Sequence, residues 1–146
     1  MDDRLITPAD LVAEARTWIG TPWRHQQRHK GMGADCGGFI LGCLWALDYP
    51  PARGYDYKNY SDIPDTGTLR AICDRLLDRT PSYAPGDVVM MRLGGAPQHL
   101  GIVGDGYGGL SLIHSYVQAR RVREERIDDA WRSAIVQSWR LRAAGA

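Results

Sequence analysis

The sequence has little of several features that would assign a protein to a class at once. Its 146 residues contain three cysteines, and the formal net charge is +1. A small, odd number of cysteines argues against a disulfide framework, and a balanced charge argues against nucleic acid as a partner. No apolar run approaches the roughly 20 residues that a membrane-spanning helix needs. We therefore expect a protein that binds neither nucleic acid nor a membrane.

The first residues also lack the pattern of an export signal. The opening MDDRLITPAD has no basic segment followed by an apolar one. We therefore expect synthesis in the cytoplasm without a signal peptide, so that any action outside the cell needs another carrier. The length suits one domain over residues 1–146, and no repeat, linker or low-complexity segment divides it.

The N-terminal half of the chain predicts helices. Thr7-Pro8-Ala9-Asp10 offers an N-cap hydroxyl, a proline at the first helical position and an acid in the first turn. Apolar residues then recur at helical spacing up to Gly20, and similar stripes predict a helix that opens at about Cys36 and another over 69–77.

Two irregular segments separate these helices. Residues 20–35 predict a polar loop with three glycines, Gly20 included. The segment from Asp48 to Thr66 is too long and irregular for a simple connector. We expect its tyrosine-rich part, from Tyr49 to Tyr60, to border a substrate cleft.

After Pro81 the pattern changes to short strands separated by turn residues. Residues 105–109 predict a hairpin turn slightly longer than the minimum. Strands are predicted over 88–92, 100–103, 110–117, 122–127 and 134–141, with a helical turn over 128–133. Basic residues gather at 120–126, where Glu124 and Glu125 interrupt them, and this run indicates a solvated face. Helices followed by antiparallel strands predict the α+β class.

Cys36 differs from the other two cysteines because it follows a glycine-rich loop and opens a predicted helix. The N–H groups and the positive dipole end of a helix favour a thiolate, which is the reactive form. Gly37 and the next glycine leave room for a substrate backbone. Cys43 and Cys73 fall on apolar helical faces and are interpreted as small buried hydrophobes. From these residues alone, a reactive and a structural Cys36 are equally plausible.

Two histidines lie on neighbouring predicted strands. His99 opens one strand and His114 lies in the next, so a hairpin would make them cross-strand neighbours on one face. A catalytic thiol needs a base and a third group that orients the base. A strand histidine is more often a satisfied core or surface residue, but two on one hairpin downstream of Cys36 make a catalytic and a structural role equally plausible.

A metal site is the alternative use of the remaining histidines. His25 and His29 are four residues apart and could share a zinc ion if their loop were helical. The nearby glycines argue against a helix there, so we expect no metal.

Five motifs in chain order resemble the NlpC/p60 family, which comprises papain-like cysteine peptidases of bacterial cell walls. They are Gly20-Thr-Pro-Trp-Arg-His, Gly33-Ala-Asp-Cys-Gly-Gly-Phe39, Pro85-Gly-Asp-Val88, His99-Leu-Gly-Ile-Val103 and Ile113-His114. The segment Gly-Ala-Pro-Gln-His-Leu-Gly-Ile and the ending from Trp131 to Arg142 resemble the branch found in phages and gene transfer agents. The ordered set spans nearly the whole chain.

The resemblance implies a papain-like α+β fold with the nucleophile at a helix N-terminus packed on a C-terminal antiparallel sheet. Within it, Cys36 would be the nucleophile, His99 the general base and His114 the residue that orients the imidazole. The Cys36 N–H would stabilise the oxyanion, with Gly37 beside it. Asp35 would shape the turn that presents the sulfur, or act simply as a helix N-cap.

Two further candidate site residues belong to the motif that begins at Gly20. Trp23 stands where the family usually has a tyrosine near the oxyanion site, and packing alone could also explain it. His25 would lie near the cleft.

The function implied by the resemblance is hydrolysis of peptidoglycan stem peptides, commonly at the bond between D-glutamate and diaminopimelate, without a cofactor. The setting would be local cell-wall digestion by a phage-like particle, with tail proteins as partners. Two alternatives keep the fold: a tail-assembly subunit with little activity, and an acyltransferase that uses the same three residues.

Overall fold

The computed structural model describes residues 5–56 and 66–143 of the chain. Within them, helices and strands follow the predicted order: helices come first and antiparallel strands second. The helices are α1 (Pro8–Arg16), α2 (Cys36–Ala46), α3 (Thr66–Leu76) and α4 (Asp129–Ala134), with single 3₁₀ turns at Pro50–Ala52 and Val117–Ala119. None of these helices is long and apolar enough to cross a bilayer.

The strands form one large sheet and one small hairpin. They are β1 (Arg28–His29), β2 (Gly33–Ala34), β3 (Asp78–Thr80), β4 (Val88–Leu93), β5 (Ala96–Gly104), β6 (Ser111–Tyr116), β7 (Arg121–Arg126) and β8 (Ile135–Arg140). The large sheet is antiparallel throughout, with the order β3-β8-β4-β5-β6-β7, and β1 pairs with β2. The predicted α+β class is therefore confirmed.

The first helix begins as its sequence predicts. The Thr7 hydroxyl accepts a hydrogen bond from the Asp10 N–H, and the Asp10 carboxylate accepts one from the Thr7 N–H. This capping box satisfies two N–H groups that the helix cannot. The helix ends at Arg16, before Gly20, whose φ of 93° suits glycine.

The two faces of the sheet carry cores of different size. On one face, α1, α2 and α3 bury a large apolar cluster that includes Phe39, Leu100 and Ile113. On the other face, a smaller cluster around Met91 and Leu112 is covered by α4 and its neighbours. Because side chains alternate along a strand, successive residues of β5 and β6 serve these two faces in turn.

Three local features differ from the prediction. The polar loop before Cys36 contains the hairpin β1–β2, and a short strand, β3, follows α3. Tyr49, expected to border a cleft, is 2% exposed, and its hydroxyl donates to the Leu76 carbonyl and accepts from the Arg142 N–H. It ties α3 to the end of β8. Residues 57–60 of the same segment lie outside the described residues.

The three cysteines are free and buried. Cys43 and Cys73 are part of the large core, as predicted.

Candidate active site

The strands β5 and β6 pair over only part of their length. Their register runs from Gly104↔Ser111 to Ile102↔Ile113. Beyond that, β5 stays paired with β4, where Met91 lies opposite His99, and β6 stays paired with β7. We call 102–104 with 111–113 the paired half of the hairpin, and 99–101 with 114–116 the open half.

Asp35 fixes the start of the helix that carries Cys36. One carboxylate oxygen accepts from the Gly38 N–H at 2.7 Å and the other from the Gln26 N–H at 2.9 Å. The first bond caps α2, and the second ties the preceding loop to the cap. The two roles considered for Asp35, shaping the turn and capping the helix, are thus one arrangement.

The Cys36 sulfur lies where the strands separate. The backbone N–H groups of Leu100, Gly37 and Cys36 itself lie near it and act to lower its pKa. Leu100 belongs to the open half, where its N–H is not used in a described β5–β6 pair. The thiol therefore comes from the helical face of the sheet and meets the strand of His99 through the opening.

The two histidines lie side by side, on one face of the sheet. The Nε2 of His99 is 2.6 Å from the Nδ1 of His114, and the rings are 3% and 0% exposed. The Nε2 of His114 in turn lies 2.8 Å from a carboxylate oxygen of Glu125. The predicted cross-strand arrangement is present, while the catalytic roles of Cys36, His99 and His114 stay predictions.

Aromatic rings enclose this pair. Tyr116 stacks on His114 with ring centroids 4.9 Å apart, and Trp131 meets His114 edge-on at 5.2 Å. The same rings lie 5.5 and 6.3 Å from His99. Such packing excludes water and holds both imidazoles in orientation.

Burial makes the resting groups neutral. It lowers the pKa of His99 well below its usual value, and the adjacent His114 adds to this. Burial also raises the pKa of the Cys36 thiol, and the Asp35 carboxylate adds to that rise. The helix N-terminus was expected to favour a thiolate; its N–H groups do act in that direction, but desolvation outweighs them.

The remaining predicted residues lie in or beside the loop that precedes Cys36. Gly37 directly follows Cys36, is buried and supplies one of the N–H groups at the sulfur. Trp23 is half-buried; its backbone N–H donates to Arg120, and it bridges to Ala34 in the loop before Cys36. His25 is half-buried in the turn that follows.

The segment that carries His25 and His29 is not helical, since His29 belongs to β1. The condition for a shared zinc ion is therefore not met. Among residues 5–56 and 66–143, no group of three or more potential metal ligands is present.

Sequence reasoning missed the residues that support His114. The run over 120–126 was interpreted as a solvated face, but the side chains of Glu124 and Glu125 are only 11% and 23% exposed. Glu125 also accepts from the Trp131 indole N–H at 3.2 Å. Strand alternation could have found it, because Arg123 and Glu125 fall on the His114 face and Glu124 on the other.

No protein-family model matches the chain, and no curated protein does. Solved structures do resemble it. The NlpC/p60 domain of the peptidoglycan hydrolase SagA aligns over 93% of this chain and 100% of that domain, with a TM-score of 0.63 and 20% identity.

Two further structures show the same likeness. An NlpC/p60 family protein from Bacillus cereus aligns over 96% of this chain but 42% of its own, with a TM-score of 0.66 and 20% identity. An N-acetylmuramoyl-L-alanine amidase from Bacteroides uniformis aligns over 92% of this chain and 98% of its own, with a TM-score of 0.57 and 11% identity. The chain therefore has the papain-like α+β fold of NlpC/p60 domains.

Proposed function

We propose that this protein is a cysteine peptidase that hydrolyses the peptide stems of peptidoglycan. One observation carries the proposal: Cys36 opens a buried helix against the strand of His99, and His99 is hydrogen-bonded to His114. A nucleophile, a base and a group that orients the base are thus arranged next to one another, as thiol catalysis needs. The fold it shares with a peptidoglycan hydrolase and an amidase supports the substrate class.

The reaction would proceed through a thioester. His99 takes the thiol proton through Nδ1 as the Cys36 sulfur attacks the substrate carbonyl. The N–H groups of Cys36 and Gly37, which lie near the sulfur in the free protein, then donate to the oxyanion that forms on the attacked carbonyl. The amine leaves with the proton from His99, and water, deprotonated by His99, then releases the stem as a carboxylic acid and restores the thiol.

Because Cys36 and His99 are both neutral at rest, the rate of thiol alkylation does not indicate whether the protein is an enzyme. An ion pair of thiolate and imidazolium would alkylate fast at pH 6 to 7. Because burial favours the thiol and the neutral imidazole here, we expect slow alkylation from an active enzyme too. Cleavage, rather than alkylation, is therefore the test that separates an enzyme from a tail-assembly subunit.

The proposed bond is the one between D-glutamate and diaminopimelate, on the strength of the sequence resemblance. One similar structure is an N-acetylmuramoyl-L-alanine amidase, so cleavage next to muramic acid is a second outcome that the assay must detect. The proposed setting is a phage-like particle whose tail proteins hold the enzyme at the cell wall. The sequence motifs shared with that branch support this setting.

The proposal is tested by mass spectrometry of diaminopimelate-containing muropeptides after incubation with the wild type or with Cys36→Ala. We expect cleavage by the wild type alone, and the product masses identify the bond. Cys43→Ala is the matched control, because it removes another buried thiol of the same helix. It should cleave as the wild type does.

Two results would contradict the proposal. Cleavage by Cys36→Ala would exclude the thiol as nucleophile. A folded wild type that cleaves no muropeptide would favour the structural role, whereas diversion of product to added amine acceptors would favour acyl transfer.

A further inference from the structure

Glu125 is positioned behind His114 by contacts on both of its oxygens. Its Oε2 lies 2.8 Å from the His114 Nε2 and 3.3 Å from the Arg123 Nε. Its Oε1 accepts from the Trp131 indole N–H at 3.2 Å. Three donors therefore converge on one partly buried carboxylate, on the face of the sheet opposite the helical core.

The charge of Glu125 determines which nitrogen of His114 carries the proton. Its pKa is lowered, chiefly by the hydrogen bond with His114, so it is an anion that can only accept. The His114 Nε2 must then donate to it. Burial lowers the pKa of His114, and a neutral imidazole carries one N–H, so its Nδ1 is left as an acceptor.

The same reasoning extends one ring further. The His114 Nδ1 faces the His99 Nε2 at 2.6 Å. Because that Nδ1 accepts, the His99 Nε2 must donate. The proton of neutral His99 is then on Nε2, and its Nδ1 is the bare nitrogen. With the opposite tautomers, the His114 Nε2 lone pair would face a carboxylate.

We infer that Glu125 is a positioning residue of the proposed catalytic site, which fixes the tautomers of His114 and His99 so that the His99 Nδ1 is free to accept the Cys36 proton. The inference rests on the proposed function for its catalytic meaning, while the tautomers themselves are properties of the free protein. It assigns a role to a residue beyond Cys36, His99 and His114. It also gives Trp131 a role, because its indole N–H holds the second oxygen of Glu125.

The direct test is the tautomeric state of the histidines in the free protein. Two-bond ¹H–¹⁵N correlation spectra of ¹⁵N-histidine-labelled protein at pH 7.5 distinguish Nδ1–H from Nε2–H. We expect Nε2–H for both His99 and His114 in the wild type. An Nδ1–H tautomer of His114 would overturn the inference whether or not the protein cleaves muropeptides.

Variants separate positioning from a merely structural role. Glu125→Met removes the acceptor while keeping the length of the side chain, and Glu124→Met makes the same change one residue earlier. Glu124 bonds instead to Arg16 and Ser111, away from the histidines. Glu125→Gln keeps an oxygen that can accept and is the conservative variant.

We expect Glu125→Met to mix the His114 tautomers and to lower kcat/KM by roughly 10- to 100-fold, the range found in metal enzymes when a carboxylate that orients a histidine is removed. Glu124→Met should keep both tautomers and the wild-type kcat/KM per folded molecule, and Glu125→Gln should recover much of the loss. Equal tautomers and equal rates in the two Met variants would overturn the inference. If no variant cleaves, the spectra still decide the matter.

Discussion

The two halves of the β5–β6 hairpin are built from the same strands but do different things. In the paired half, a backbone ladder joins the strands, and Ser111 donates to Glu124, which binds Arg16 of α1. In the open half, the ladder is absent from the described pairs, and the Leu100 N–H turns to the Cys36 sulfur. One half holds the hairpin to the helices, and the other exposes its polar groups to the thiol.

The difference shows how groups on opposite faces of a sheet can meet where two neighbouring strands stop pairing. Cys36 approaches from the helical face, whereas His99 and His114 lie on the other face with Trp131. A continuous ladder would separate these groups by a layer of backbone. Ending the ladder after Ile102↔Ile113 brings the groups together, and β4 and β7 on the outer sides keep both strands in the sheet.

The largest effect is expected from closing the open half. A Cβ at Gly101 would lie 2.5 Å from the Leu112 Cδ1 and 3.2 Å from the His114 Cβ. Gly101→Ala should therefore displace the His114 ring from its place between His99 and Glu125. Because the His114 Cβ must shift by a few tenths of an ångström, and a 1 Å misplacement can cost about 100-fold, we expect kcat/KM on muropeptides to fall by roughly 10- to 100-fold, with a loss of about 1–3 kcal/mol in the free energy of unfolding.

Gly104→Ala is the matched change in the paired half. Its Cβ would meet the Ser111 Oγ at 2.6 Å and the Glu124 Oε2 at 3.1 Å, both on side chains remote from the histidines. Stability should fall, while kcat/KM per folded molecule stays near that of the wild type. Equal losses of activity in the two variants would show that the halves do not differ as described.

The sequence predicted the parts of this arrangement that depend on local pattern. The N-cap of α1, the helix that opens at Cys36 and the alternation that places His99 and His114 on one face all follow from residue spacing. The hairpin turn predicted over 105–109 lies between Gly104 and Ser111. Local periodicity is sufficient for these features because each involves neighbours in the chain or on adjacent strands.

What the sequence did not predict depends on contacts between distant elements. In the sequence, Glu125 belongs to a charged run that predicts a surface. In the fold it is partly buried, because β7 pairs with β6 and α4 places Trp131 over it. The thiolate expected at a helix N-terminus is opposed by burial, which is set by the whole fold rather than by α2. Tyr49 joined the core for the same reason. Pattern and composition carry no measure of burial by remote segments.

A smaller effect is expected from releasing the open half from the loop before Cys36. The Ser115 hydroxyl donates to the Ala34 carbonyl at 2.6 Å, and both residues are fully buried. Ser115→Ala should cost about 1 kcal/mol of unfolding free energy, because the hydroxyl bond is lost while the carbonyl keeps its bond from the Arg24 N–H at 3.2 Å. It should also lower kcat/KM by roughly 10-fold, since this bond fixes the strand of His114 relative to the loop that precedes Cys36.

Ser111→Ala is the corresponding control in the paired half. It also removes a buried hydroxyl of β6, one that donates to Glu124 at 2.6 Å. Urea unfolding should show a loss of similar size, without a change in kcat/KM. If Ser111→Ala lowers activity as much as Ser115→Ala does, the bond between Ser115 and Ala34 has no particular role in positioning Cys36 relative to His114.

The smallest effect is a difference in the pH range over which each half loses stability. In the open half, the pKa of His99 and of His114 lies below the usual value of 6.5. His99 faces His114, Tyr116 and Trp131, while His114 also faces Glu125 and Arg123. Below pH 6.5 the unfolded chain therefore binds protons that the folded chain does not, and stability falls as the pH falls.

The charged groups that adjoin the paired half affect stability at lower pH. Hydrogen bonds from Arg16 lower the pKa of Glu124 and of Asp105 below 4.5 and 3.8, so this contribution to stability is lost only as the pH drops below about 4.5. Urea midpoints between pH 8 and pH 3 should show both steps. The variant with both His99→Asn and His114→Asn should flatten the step that begins below pH 6.5, whereas Glu124→Gln should alter only the lower one. A Glu124→Gln variant that flattens the upper step would mean that the two halves titrate as one unit.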